Sequence, residues 1–198
     1  MSRKQSNDRL ESSIKYVDAL SYIYSKLNVI RVDFGYKSEY SAKMTLKQVN
    51  EDITRMLNNR RSKPSIFEHN VGYIIKKEFT EDKHIHIHAL FFFDGQKIQK
   101  DSFKAEQIGA YWQEIITEEK GSFHNCHRNT YEQNGIGMLN YADHKKRQIL
   151  NERVISYLCK DEQDIASVKE NIKDRAFLRG TLPKTDKKEG RPRKKSNN

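Results

Sequence analysis

Cysteine occurs only twice in the 198 residues, at Cys126 and Cys159, which excludes a disulfide scaffold and a four-cysteine zinc site. Long apolar runs are also missing. The longest, Ala89 to Phe93, is far too short to cross a bilayer. The opening stretch Met-Ser-Arg-Lys-Gln-Ser-Asn-Asp has none of the apolar character of a secretion signal, so the expected setting is cytoplasmic, with no membrane partner. No Gly-x-x-x-x-Gly-Lys-Ser/Thr loop is present, so a nucleotide-driven motor is not expected within this chain. The length leaves room for one domain with tails and is short of the roughly 250 residues of an eightfold α/β barrel.

What the chain does have is aromatic bulk and positive charge. Nine Phe, 10 Tyr and one Trp can fill a core although only 35% of residues are hydrophobic. Lys and Arg number 37 against 27 acids, a net charge of +10 that favours polyanionic partners. The excess is concentrated at the C-terminal end, where residues 173–198 hold 10 Lys/Arg and 3 Asp/Glu. Residues 184–198 contain no aliphatic or aromatic side chain, so they are expected to be a basic, disordered tail.

Apolar periodicity orders the rest. Residues 1–27 read as an N-terminal helical segment, with Ile14, Val17, Leu20 and Leu27 at helical spacing. Asn28 to Tyr36 alternates as a first strand, and Thr45 can cap a helix through Asn59. Val71–Thr80 and His84–Phe93 form two strands joined by the polar Glu81-Asp82-Lys83, as in a hairpin. A helix follows from Ser102 to about Lys120. Phe123 to Leu139 reads as a ragged edge strand or a loop, and a last helix runs from Ile149 to about Gln163. This order predicts an α+β fold, an antiparallel sheet of about five strands with helices packed mainly on one face, spanning residues 28–183.

The chemistry centres on Lys83-His84-Ile85-His86-Ile87-His88-Ala89. In a strand, His84, His86 and His88 share one face, roughly 6 to 7 Å apart, close enough for neighbouring imidazoles to converge on a metal ion. The opposite face carries Ile85, Ile87, Ala89, Phe91 and Phe93 and must be core. If the turn centres on Asp82, Glu78 stands opposite His86 on the histidine face and offers a third ligand. The alternative is a plain polar sheet face. A weaker cluster, His124-Asn125-Cys126-His127, lacks a second ligand group at finger-like spacing and is expected to be structural. On the last helix, Tyr157 and Lys160 are three residues apart, which can bring a phenol and an ammonium to one phosphate. The ordinary alternative is a core Tyr157 and a solvated Lys160.

These blocks resemble the HUH endonuclease superfamily of rolling-circle replication initiators and relaxases. More narrowly, Val29-Ile-Arg-Val-Asp-Phe-Gly-Tyr36, Lys76-Lys-Glu78, the histidine strand ending Phe-Phe-Phe-Asp-Gly95, and Ser156-Tyr-Leu-Cys-Lys160-Asp-Glu-Gln163 resemble the inovirus gene II-like family that includes YagK and YfjJ. The resemblance implies a ferredoxin-like, RRM-like palm with His86, His88 and Glu78 as metal ligands, Tyr157 as nucleophile and Lys160 as its helper. His84 departs from the pattern and leaves His84/His86 as the alternative register. Tyr141 is a second candidate tyrosine. The implied activity is Mg²⁺- or Mn²⁺-dependent nicking of single-stranded DNA or an origin hairpin, with a host helicase as partner. A non-catalytic nucleic-acid binder is the alternative expectation, and a small-molecule hydrolase is disfavoured for want of a His-x-His-x-Asp-His site.

Overall fold

The computed structural model describes residues 3–160, 165–169, 171 and 174–184. Its elements in chain order are α1 (Arg3–Ile23), β1 (Lys26–Tyr36), α2 (Ser38–Ser41), α3 (Leu46–Asn59), α4 (Pro64–Phe67), β2 (Asn70–Thr80), β3 (His84–Asp94), α5 (Asp101–Tyr111), β4 (Gly121–Asn125), β5 (Gly137–Asn140), α6 (His144–Ile149), α7 (Ser156–Cys159) and β6 (Phe177–Arg179). A π-helical stretch, Leu150–Ile155, joins α6 to α7, so one continuous helix carries Tyr157. The expected end of that helix at Gln163 lies outside the described residues, as do residues 185–198 of the expected tail. Thr45 caps α3 as the sequence predicts, and the structure adds a capping box: Thr45 accepts from the Gln48 amide while Gln48 reaches back to the Thr45 amide.

The sheet is antiparallel, with order β4-β1-β3-β2-β6, and β5 pairs the other end of β1. It has six strands rather than about five, because the ragged segment supplies both β4 and β5 and the Phe177–Arg179 stretch adds an edge. The architecture is α+β and consistent with a ferredoxin-like palm. Between β4 and β5 the edge of β1 has a gap in its ladder, and there the Arg31 amide donates to His127 Nε2 at 3.1 Å. His127 thus satisfies a backbone donor that the sheet leaves over.

Helices cover both faces, not mainly one. Ile30, Val32, Phe34, Ile75, Ile87, Ala89, Phe91 and Phe93 pack with α3 and α5. On the other face, Val29, Ile74, Leu90 and Phe92 pack with Tyr16, Val17 and Leu20 of α1 and with Leu150, Ile155 and Leu158 of the Tyr157 helix. The reason is that β3 stays apolar on both faces after His88: Leu90 and Phe92 continue the histidine side as core. A polar end and an apolar end therefore share one sheet face, and the helix that buries the apolar end projects over the polar one.

Candidate metal centre

The β2–β3 register sets the site. Glu78 pairs with His86 and Lys76 with His88, while β1 places Asp33 opposite His88 from the other side. Residues so paired share a face. One face therefore presents Asp33, His88, His86, Glu78 and Lys76 across three central strands.

Both histidines turn Nε2 inward to the same glutamate oxygen. His88 Nε2 lies 3.1 Å and His86 Nε2 3.3 Å from Glu78 Oε2. Each ring is held from behind through Nδ1. That of His86 is 3.2 Å from the His84 carbonyl oxygen, and that of His88 is 2.9 Å from Asp33 Oδ1, at an angle too poor for a directional hydrogen bond. Outer partners of this kind fix ring orientation and leave Nε2 for an ion. Among the described residues, Glu78, His86 and His88 form the group whose ligand atoms all lie within 4.8 Å of one another. Two imidazole nitrogens and one carboxylate suit a divalent cation and leave coordination positions open. The residues present could hold a metal ion.

The electrostatics agree with that fit. Burial alone would push the Glu78 carboxyl up, but hydrogen bonds from His86 and His88 and the His88 charge outweigh it and hold the group at about 2. Burial would push His88 down, yet Asp33 and Glu78 on its two nitrogens outweigh it and raise the imidazole to about 9. Asp33 is itself lowered: burial opposes its charge, and His88 and Arg31 overcome that cost. Without a metal ion, His88 is thus the cation between two carboxylates.

His84 stands apart from this group. It opens β3 with a left-handed φ of 55°, and its ring faces Phe79 at 6.4 Å between centroids. Its carbonyl, rather than its imidazole, serves the site.

Tyr157 comes down onto the site from the helix above. Its ring meets that of His88 edge to face at 5.5 Å, and the Arg31 guanidinium carbon lies 5.6 Å from its centroid. It is exposed, not core. Lys160 is placed differently from the expectation of a second helical side chain beside the phenol. The helix ends at Cys159, and Lys160 is the capping residue with extended backbone at ψ 149°. Its carbonyl accepts from the fully buried Lys76 Nζ at 2.7 Å, while its own side chain is exposed. Tyr141, near the end of β5, is exposed and has no part in the Glu78 group.

Two residues of the site, Arg31 and Asp33, have a signal in the sequence as the polar positions that alternate with Ile30, Val32 and Phe34 along β1. Alternation puts them on the histidine face, but only the strand order reveals that β1 lies next to β3. The histidines of the second cluster make contacts of their own. His127 accepts the Arg31 amide and faces Asp101 at 3.6 Å, and His124 pairs with Asn129 at 2.9 Å.

Fold and site together define a class: an α+β protein whose antiparallel sheet gathers two histidines and a glutamate beneath a tyrosine-bearing helix. More particularly, the chain belongs to the YagK/YfjJ C-terminal domain family, whose model matches residues 2–177. No curated protein and no solved structure matches it. Among the described residues, no helix is long and apolar enough to cross a membrane.

Proposed function

We propose that this protein is a DNA-nicking and strand-transfer endonuclease of the HUH type, a replication initiator of the rolling-circle kind from an inovirus, prophage or other mobile genetic element. The observation that carries the reading is the seating of the exposed Tyr157 ring against His88, one of the three residues that could hold a metal ion. A phenol beside such a group has the parts for transesterification at phosphorus. A divalent ion held by Glu78, His86 and His88 supplies a Lewis acid for a phosphodiester oxygen. An oxygen-rich substrate and a carboxylate ligand favour Mg²⁺ or Mn²⁺.

In this reading the Tyr157 oxygen attacks the phosphorus as the phenol loses its proton. The bond from phosphorus to the 3′ oxygen breaks, and that oxygen takes up a proton. The 5′ phosphate is left on Tyr157, with a free 3′ hydroxyl to prime synthesis. Asp33 and the His84 carbonyl keep the two imidazoles oriented, and the Lys160 ammonium, on a flexible stem, offsets phosphate charge. The substrate is single-stranded DNA, or one strand opened at an origin hairpin, with unwinding left to a host helicase.

The test is formation of a covalent protein–DNA adduct with labelled single-stranded oligonucleotides in Mn²⁺ or Mg²⁺, compared with chelator. Tyr157→Phe keeps the ring and its contact with His88, so folding and DNA binding should persist while nick and adduct both vanish. An adduct mapped to Tyr141 would move the nucleophile. DNA binding with no adduct under any metal would replace this reading with a non-catalytic nucleic-acid binder.

A further inference from the structure

Arg31 is an unusual cation for a strand in the middle of a sheet. Its side chain is 16% exposed, and its only ionic partner among the described residues is Asp33, reached through Nε at 3.4 Å. Among the described residues, no hydrogen bond or ion pair engages its two terminal amino nitrogens. Neither belongs to the buried unpartnered atoms, so both meet solvent. An arginine that serves a carboxylate alone frequently sets its fork across both oxygens. This one turns its Nε edge to Asp33 and leaves the other donors open.

The surroundings say what those donors can take. The guanidinium lies over the Tyr157 ring at 5.6 Å, and that ring lies against His88. The other buried cation of this face, Lys76, directs its Nζ to the Lys160 carbonyl. His88 is held between Asp33 and Glu78. Among the described cations on the three central strands of this face, Arg31 is therefore the one with outward donors, beside the phenol. A planar fork at such a position matches two oxygens of a phosphate group.

We propose that Arg31 is a catalytic residue that binds a non-bridging oxygen of the phosphodiester attacked by Tyr157. The inference rests on the nicking reading above and gives a phosphate-binding role to a residue to which the sequence motifs assign none. It also explains why the residue is held by the strand. At Arg31, β1 is paired with β3 on one side, and on the other its amide is fixed by His127 between the β4 and β5 ladders, so the fork starts from a held backbone.

The experiment compares the natural protein, Arg31→Gln and Arg31→Lys on two oligonucleotides, one ordinary and one with an uncharged methylphosphonate at the nicked position. Loss of a preorganised donor to the transition state should slow adduct formation on the ordinary substrate about 100-fold in Arg31→Gln. On the methylphosphonate, the natural protein and Arg31→Gln should react at similar rates, because the charged oxygen is already gone. Arg31→Lys should recover part of the loss on the ordinary substrate and none on the analogue. An equal loss on both substrates would make Arg31 a packing residue for Tyr157 or Asp33 and overturn the proposal.

A second measurement stays independent of nicking. ³¹P line broadening of inorganic phosphate by the metal-free protein should fall in Arg31→Gln and persist in Arg128→Gln, an exposed arginine paired with Glu106. Equal broadening by the natural protein and Arg31→Gln would overturn phosphate binding at Arg31. Absence of any adduct from the natural protein, with this arginine-dependent broadening retained, would overturn the nicking reading and leave an anion site.

Discussion

Asp33 Oδ1 stands 2.9 Å from Nδ1 of His88, on the side of the ring opposite Glu78. A neutral ligand imidazole needs its proton on Nδ1, and the Asp33 charge beside that nitrogen favours the proton there. Asp33→Asn removes the charge while keeping the shape. Mn²⁺ affinity, read by calorimetry on the full chain, should fall 10- to 100-fold. Unchanged affinity would show that His88 is held by packing alone.

The three histidines of β3 should separate cleanly. His86→Ala and His88→Ala each remove a member of the Glu78 group and should abolish metal binding. His84→Ala removes a ring that faces Phe79 and leaves the backbone carbonyl beside His86, so binding should persist with at most a small loss. Binding retained in His88→Ala but lost in His84→Ala would establish the alternative register.

Much of this centre was legible because a strand has a period of two. The alternating histidines, the three-residue polar turn and Glu78 four positions before Asp82 are enough to pair Glu78 with His86, and the sheet has that register. The family motifs pointed to Tyr157, and its ring lies beside His88. What was not legible depends on contacts distant in sequence. Leu90 and Phe92 continue the histidine face as core only because α1 and the Tyr157 helix cover them. Nothing local to Asp33 says that His88 is its neighbour across β1 and β3. The end of the helix at Cys159 is also a tertiary matter: Lys76 on β2 takes the carbonyl of Lys160, and the chain turns extended there.

Cys126 should be chemically silent in the folded protein. Burial pushes its thiol up to about 12, with the Asp33 charge adding to the shift and Arg31 opposing it. A thiol raised from 9 in this way keeps its proton in the native state while the unfolded chain loses it. Native stability should therefore decline as pH rises through 9 towards 12. Alkylation of Cys126 by iodoacetamide at pH 8.5 should be slow until denaturant is added, whereas rapid native labelling would contradict the buried placement.

Residues 184–198 carry 7 Lys/Arg and 2 Asp/Glu, a composition suited to phosphate contacts without base reading. If the protein acts on DNA as proposed, deleting this segment should weaken oligonucleotide binding and flatten its salt dependence. The preferred nick position should stay the same. A shift in that position would give the segment a role in specificity.

Lys76 ties the tyrosine helix to the sheet. Its Nζ is fully buried and donates to the Lys160 carbonyl at 2.7 Å, placing a positive charge at the helix C-terminus where the aligned peptide dipoles favour it. Lys76→Met keeps length and apolar volume but leaves that carbonyl without this donor, at a cost of about 1–3 kcal/mol in urea unfolding. Because the contacts that gather the metal group run from Glu78 to His86 and His88, Mn²⁺ affinity should change little. Adduct formation should fall with the maximal rate rather than the apparent substrate affinity, since the loosened end of the helix carries Tyr157, three residues before the lost contact. Lys76→Arg should recover part of the stability if the longer side chain reaches the carbonyl. A variant that loses metal binding along with rate would place Lys76 in the electrostatics of the metal centre instead of in the helix anchor.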